Sequence, residues 1–113
     1  MFATHTFITA LYNDVKERLP LWRTEYVDLE GSTATAVTST WMSPDKKKNV
    51  RVFLGVEANA RPAVTPAIVR KWVQHVTRLY SVHATGELLC YLCFIDAAGS
   101  VSYYTCETAA VDA

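Results

Sequence analysis

Apolar and polar positions along the chain follow two periods, that of a strand and that of a helix. Every second residue from Val50 to Val56 is valine or leucine, which predicts a half-buried strand over residues 50–57. Residues 88–95 are apolar at nearly every position, which is typical of a central strand. A helical pattern over residues 65–80 lies between them. This strand–helix–strand unit, over residues 49–96, carries the strongest periodic signal in the chain.

Two amphipathic helices are predicted, and both have start or stop signals. Thr65 as N-cap and Pro66 at the first helical position begin the second helix, which reaches about Tyr80. Thr4 or Thr6 can cap the first helix, and Pro20 ends it shortly after Arg18. The apolar stripe of the first helix consists of Phe7, Ile8, Leu11, Val15 and Leu19.

Further strands are expected on both sides of the central unit. Residues 22–29 and 33–42 read as a hairpin across a turn at 30–32, because the second run is rich in β-branched residues. Residues 43–49 form a loop by composition and lead back antiparallel into the strand at Val50.

The last two strands, about 87–96 and 100–106, are joined by a short turn at Asp96-Ala97-Ala98-Gly99. The predicted fold is a single α+β domain over residues 1–113, with 107–113 as a frayed tail. Its elements follow the order α-β-β-β-α-β-β, with a mostly antiparallel five-stranded sheet and two helices packed on one face.

Size and composition favour a soluble protein. The chain has 113 residues, half of them hydrophobic, which is sufficient for a genuine core. Its longest apolar run, 88–95, is far shorter than the ~20 residues that cross a bilayer, and the N-terminus lacks signal-peptide features. We therefore predict a cytoplasmic location and no membrane partner. Cys90 and Cys93 point to opposite faces of a strand, so we expect buried structural thiols.

Charge is segregated although the net charge is zero. The segment from Lys46 to Arg78 holds eight basic residues and one acid, while the remainder is acidic. Such asymmetry favours an anionic partner, either an acidic protein or a nucleic acid. The alternative is that these charges are only the solvated faces of a helix and a turn. The predicted binding residues are Lys46, Lys47, Lys48, Arg51, Arg70, Lys71 and Arg78.

One motif suggests an enzyme as the alternative. Pro44-Asp45, followed by a strand that ends in Glu57-Ala58-Asn59, resembles the PD-(D/E)xK nucleases in both motif and element order. That resemblance implies a Mg²⁺ site with Asp45, Glu57 and the neighbouring Asp28 as candidate catalytic acids. Asn59 stands where that family has a lysine. The same element order occurs in small dimeric chaperones of bacterial secretion systems, without shared residues.

Thirteen aromatic residues complete the pattern. Trp41, Phe53, Tyr91 and Tyr103 fall on strands that two helices on one face cannot fully cover. An exposed aromatic sheet face favours dimerisation or partner binding. Our main hypothesis is a non-catalytic binding protein without a cofactor, homodimeric through a sheet face or edge. Proteins of this type are common among accessory factors and inhibitors encoded by viruses or mobile elements.

Overall fold

The computed structural model describes residues 5–28, 35–58, 65–82 and 84–106. Two helices and five strands follow the predicted order, each within two residues of its predicted bounds. They are α1 (His5–Arg18), β1 (Arg23–Asp28), β2 (Thr35–Met42), β3 (Lys48–Glu57), α2 (Pro66–Tyr80), β4 (Leu88–Ile95) and β5 (Val101–Cys106). The predicted turn at 30–32, the connection at 59–64 and the tail at 107–113 lie outside the described residues.

One sheet contains all five strands in the order β1-β2-β3-β4-β5. Neighbouring strands pair antiparallel except β3 and β4, which are parallel because α2 crosses over between them. The prediction of an α+β fold with a mostly antiparallel sheet is therefore confirmed. Within the described residues, neither helix has the length and hydropathy needed to span a membrane.

The two helices lie on opposite faces of the sheet, so the prediction that both pack on one face is wrong. On β3, Val52 and Leu54 pack with Val73 and Val76 of α2. Alternate residues point the other way, and Phe53 packs with Ile8 and Leu11 of α1. The physical reason is that β4 is apolar on both faces and that Phe53 of β3 adds to the second face, so both faces must be covered to remove that surface from water.

Local chemistry explains the helix bounds. Thr65 Oγ1 accepts a hydrogen bond from the backbone N–H of Ile68 at 3.3 Å, and Pro66 stands at the first helical position. The Leu19 N–H closes the last turn of α1 on the Val15 carbonyl at 2.9 Å, and Pro20 cannot continue the helix. These are the signals from which both ends were predicted.

The β2–β3 hairpin extends further than the sequence pattern predicts, since Lys48 and Asn49 also pair with β2, and residues 85–87 bind to this start of β3. The Lys48 N–H donates to Thr85 Oγ1 at 2.8 Å, and the Gly86 N–H donates to the Lys48 carbonyl at 2.9 Å. Asn49 Oδ1 accepts from the Glu87 N–H at 2.9 Å. Lys46 turns the chain with a φ of 64°. The hairpin tip, residues 43–47, is thus fixed beside the start of β4.

Candidate functional site

The predicted basic residues do not form one continuous surface. Arg51 lies on β3 and faces the side of the sheet that α1 covers, where it lines a cleft with Val15 and Leu19. The basic residues of α2 are exposed on the other side of the sheet. They are Arg70, Lys71 and Arg78. The sheet separates them from Arg51.

The lysines of the hairpin tip are close to Arg51 along the chain. Lys48 precedes Arg51 by three strand positions, a span of about 10 Å. Lys46 and Lys47 are exposed in the turn, and Lys47 Nζ lies 4.0 Å from the Asp45 carboxylate. An ion pair this exposed contributes little to stability. Lys48 lies an odd number of residues from Arg51 on β3, so its side chain points to the opposite face, and Lys46 and Lys47 lie in the exposed turn beyond it.

Asp45 and Glu57, two acids of the alternative nuclease arrangement, are not brought together. Asp45 lies in the hairpin tip, whereas Glu57 ends the ten-residue strand β3. That strand spans about 30 Å. The Asp28 backbone pairs with Thr35 at the end of β1, and its side chain lies outside the described part of the chain. Among the described residues, no group of three or more histidine, cysteine, aspartate or glutamate side chains could hold a metal ion.

An open cleft of about 200 Å³ lies on the α1 side, between the C-terminal turns of α1 and strands β3 to β5. We call it the Arg51 cleft. Its walls are aromatic and aliphatic side chains with two guanidinium groups. The lining residues are Val15, Arg18, Leu19, Arg51, Phe53, Tyr91 and Tyr103.

Of the two arginines in this cleft, Arg51 is the one with an unused hydrogen-bond donor. Its guanidinium carbon lies 4.8 Å from the centroid of the Trp22 ring, in a cation–π contact. Its Nε is buried and, within the described residues, has no hydrogen-bond partner. No carboxylate of those residues forms an ion pair with it. A buried donor without a partner is destabilising, and because no described carboxylate pairs with Arg51, its guanidinium charge is left for an anionic ligand.

Arg18, on the opposite wall, is held by an internal network. Its Nε lies 2.8 Å from the Asp14 carboxylate, and its guanidinium carbon lies 5.0 Å from the Tyr103 ring centroid. The Tyr103 hydroxyl donates a hydrogen bond to the same Asp14 carboxylate.

The pKa values in this network shift in the directions that preserve it. Burial acts to raise the pKa of Asp14, but the hydrogen bonds from Tyr103 and Arg18 outweigh it and hold that pKa below its usual value. Burial, followed by the hydrogen bond to Asp14, raises the pKa of the Tyr103 hydroxyl. Asp14 is therefore ionised and Tyr103 neutral over the physiological range.

Two stacked aromatic pairs extend from the cleft towards the β2–β3 hairpin tip. Phe53 and Tyr91 are stacked with ring centroids 5.1 Å apart. On the other side of Arg51, Trp22 and Trp41 are stacked at 5.9 Å, and Trp41 is 39% exposed. We call these two the Trp22–Trp41 pair. The site thus combines Arg51 with aromatic side chains on both sides of it.

Sequence reasoning identified Arg51 and the strand aromatics but missed Arg18 and Trp22. Both lie outside the basic segment, at the end of α1 and just before β1. The i, i+4 spacing of Asp14 and Arg18 was visible in the sequence, yet it indicates only a helix-surface ion pair. Their place at the cleft depends on how α1 packs across the sheet.

No protein-family model matches the chain, and no curated protein matches its sequence. The functional interpretation therefore depends on the residues of the cleft and its surroundings.

Proposed function

We propose that this chain is a non-catalytic protein that binds single-stranded nucleic acid in the Arg51 cleft and on the Trp22–Trp41 pair. The observation that carries the proposal is the position of Arg51. Its guanidinium stacks on Trp22, at the edge of an aromatic-lined cleft, with a buried Nε that has no partner among the described residues.

Single-stranded nucleic acid fits this chemistry better than an acidic peptide does. Nucleic acid offers both a planar base and an anionic phosphate, and aromatic rings beside cations are the usual means of binding both. The carboxylate side chains of an acidic peptide would use the guanidinium but carry no ring to place against Tyr91 or the Trp22–Trp41 pair. Arginine is suited to this role because its planar group both stacks and donates paired hydrogen bonds.

Lys46 and Lys47, exposed in the hairpin tip, would extend the cationic surface beyond the cleft. Trp41 and Met42 pair across the hairpin with Asn49 and Lys48, so the exposed tryptophan lies next to the tip. A nucleic-acid strand that leaves the cleft along the Trp22–Trp41 pair would pass the lysines of the hairpin tip. These exposed charges would act mainly through phosphates, which makes their contribution dependent on salt.

A homodimer is the assembly we propose, through the outer edge of β5. β5 contains no charged residue, whereas the opposite edge strand, β1, carries the ion pair between Arg23 and Glu25. Charges on an edge strand oppose edge-to-edge pairing, so β5 is the edge better suited to a second copy. Light scattering of the purified chain tests this, since a monomer at high concentration would exclude the dimer.

Titration of oligonucleotides of about 15 nucleotides tests the binding proposal. We expect single-stranded DNA or RNA to quench tryptophan fluorescence, and the affinity to fall steeply between ~50 and ~200 mM salt. Trp72 packs on the α2 side, so Trp72→Phe should keep the quenching. Trp41→Phe should reduce it. If no oligonucleotide binds at low salt, nucleic acid is excluded; binding of polyglutamate instead would favour an acidic protein partner.

A further inference from the structure

Two of the three cysteines are direct neighbours across the β4–β5 hairpin. Cys90 of β4 and Cys106 of β5 are register partners in the antiparallel pair. Both contact the hydrophobic cluster under α2. Cys93 points to the other face and belongs to the cluster under α1. The sheet therefore pairs Cys90 with Cys106 and isolates Cys93.

The spacing of this pair matches that of a disulfide. Directly opposed residues of antiparallel strands have Cα atoms ~4.5–5.5 Å apart, and disulfides occur at ~4.4–6.8 Å. Both residues pack with the hydrophobic cluster under α2, so their side chains point to the same face of the sheet. The strand register therefore places the two cysteines at a separation that a disulfide can bridge.

We propose that Cys90 and Cys106 form a reversible intramolecular disulfide, so that the β4–β5 hairpin is a thiol modification site. The co-reactant is a small disulfide such as glutathione disulfide. This site goes beyond the proposed nucleic-acid binding and does not depend on it.

The reaction has two exchange steps. The Cys106 thiolate attacks one sulfur of glutathione disulfide, a mixed disulfide forms, and one glutathione leaves as thiolate. Cys90 then loses its proton to that thiolate and attacks the Cys106 sulfur, which displaces the second glutathione. Two protein thiols are oxidised to one disulfide, and one glutathione disulfide is reduced to two glutathione molecules.

Exposure and acidity support this order of steps. Cys106 is only partly buried and lies on an edge strand, whereas Cys90 is fully buried. The hydrogen bond from Cys90 lowers the pKa of the Cys106 thiol, which favours the attacking thiolate. The same hydrogen bond, together with burial, raises the pKa of the Cys90 thiol. Cys90 therefore suits the resolving position and not the first attack.

The test exposes the whole chain to glutathione buffers of increasing oxidised fraction, followed by mass spectrometry of the intact protein and of its peptides. We expect the loss of two hydrogen masses, a peptide crosslink between Cys90 and Cys106, and full reversal by dithiothreitol. Cys93→Ala should behave as the wild type. Cys106→Ser should neither lose the hydrogens nor acquire glutathione.

Three results would overturn the proposal: no oxidation in any buffer, a mixed disulfide on Cys106 that Cys90 does not resolve, or a crosslink that includes Cys93. Circular dichroism of each variant separates a loss of folding from a loss of reactivity. In Cys93→Ala, which keeps the proposed pair, the oxidised form should melt at a higher Tm than the reduced form, because the crosslink restricts the unfolded chain. An unchanged or lower Tm would count against an unstrained disulfide at this position.

Discussion

The Tyr103 hydroxyl donates a hydrogen bond to the Asp14 carboxylate, and this contact joins the edge strand β5 to the outer side of α1. Arg18 completes the arrangement, with its Nε on Asp14 and its guanidinium over the Tyr103 ring. Arg18 and Tyr103 line one wall of the Arg51 cleft, and Asp14 holds both of them. The cleft thus keeps its shape through a polar network that ties two distant parts of the chain together.

Tyr103→Phe should destabilise the protein near neutral pH and much less in acid. The pKa of Asp14 is lowered in the folded state, so its ionised form contributes stability above its usual value of 3.8, and that contribution is lost as pH falls below it. We expect a loss of about 1 kcal/mol at pH ~7, because a hydrogen bond to a partly exposed carboxylate is removed. Urea unfolding at pH ~7 and ~3 measures it. Tyr104→Phe is the control, since Tyr104 is exposed on the other face; equal losses in both variants would contradict the explanation.

High pH should destabilise the protein through ionisation of Tyr103, whereas low pH does so through protonation of Asp14. The pKa of Tyr103 is raised in the folded state, so its neutral form contributes stability that is complete below the usual value of 10.0 and is lost as pH rises above it. We expect wild type to lose stability above pH ~10 by more than Tyr103→Phe does. Unfolding curves across that range, with tyrosinate absorbance, measure the difference. Parallel curves for the two proteins would show that Tyr103 titrates normally.

Arg51→Ala should weaken oligonucleotide binding about tenfold, which corresponds to ~1.4 kcal/mol. The substitution removes the guanidinium that stacks on Trp22 and the donor inside the cleft. Arg70→Ala is the matched control, because it removes the same charge from the exposed face of α2. We expect that control to stay within about twofold of wild type. Equal losses in the two variants, measured by fluorescence anisotropy, would mean that binding responds to net charge alone.

The sequence predicts the helices and strands much better than it predicts which basic residues share a surface. Thr65, Pro66 and Pro20 placed the helix ends because capping and proline chemistry are local. The alternating pattern of β3 predicts a half-buried strand with one covered face, and it does not show which helix covers that face or that a second helix covers the other. Arg51 and the basic residues of α2 were therefore assigned to one surface, although the sheet separates them. This separation follows from the β3–α2–β4 crossover and from the packing of α1. Neither can be predicted from a local sequence pattern.

Thr65→Ala should destabilise the protein by about 1 kcal/mol through the first turn of α2. Thr65 Oγ1 accepts from the Ile68 N–H, and alanine leaves that donor to water. Thr65→Ser keeps the oxygen and should stay close to wild type, because serine is at least as good an N-cap. Thermal or urea unfolding of the three proteins makes the comparison. A serine variant as unstable as the alanine variant would show that the methyl group, and not the cap, is responsible.

Gly55→Ala should destabilise the protein by about 1–3 kcal/mol, because α1 approaches β3 too closely for a side chain there. A Cβ at Gly55 would lie 2.9 Å from Ile8 Cδ1 and 3.1 Å from Leu11 Cδ2. Loss of glycine would otherwise stabilise by ~0.4–1 kcal/mol through the unfolded chain, so a net loss requires the steric conflict to dominate.

Ile8→Val deletes the Cδ1 atom in the closest of these contacts and identifies the cause. Alone, it should cost about 0.5–1.5 kcal/mol as a cavity in the α1 cluster. Combined with Gly55→Ala, it makes room for the new methyl group, so the double variant should lose less stability than the sum of the two single losses. Urea unfolding of the wild type, the two single variants and the double variant measures the interaction energy between the two positions. Strict additivity would show that the contact between α1 and β3 relaxes by another route, and that Gly55 is not required for their close approach.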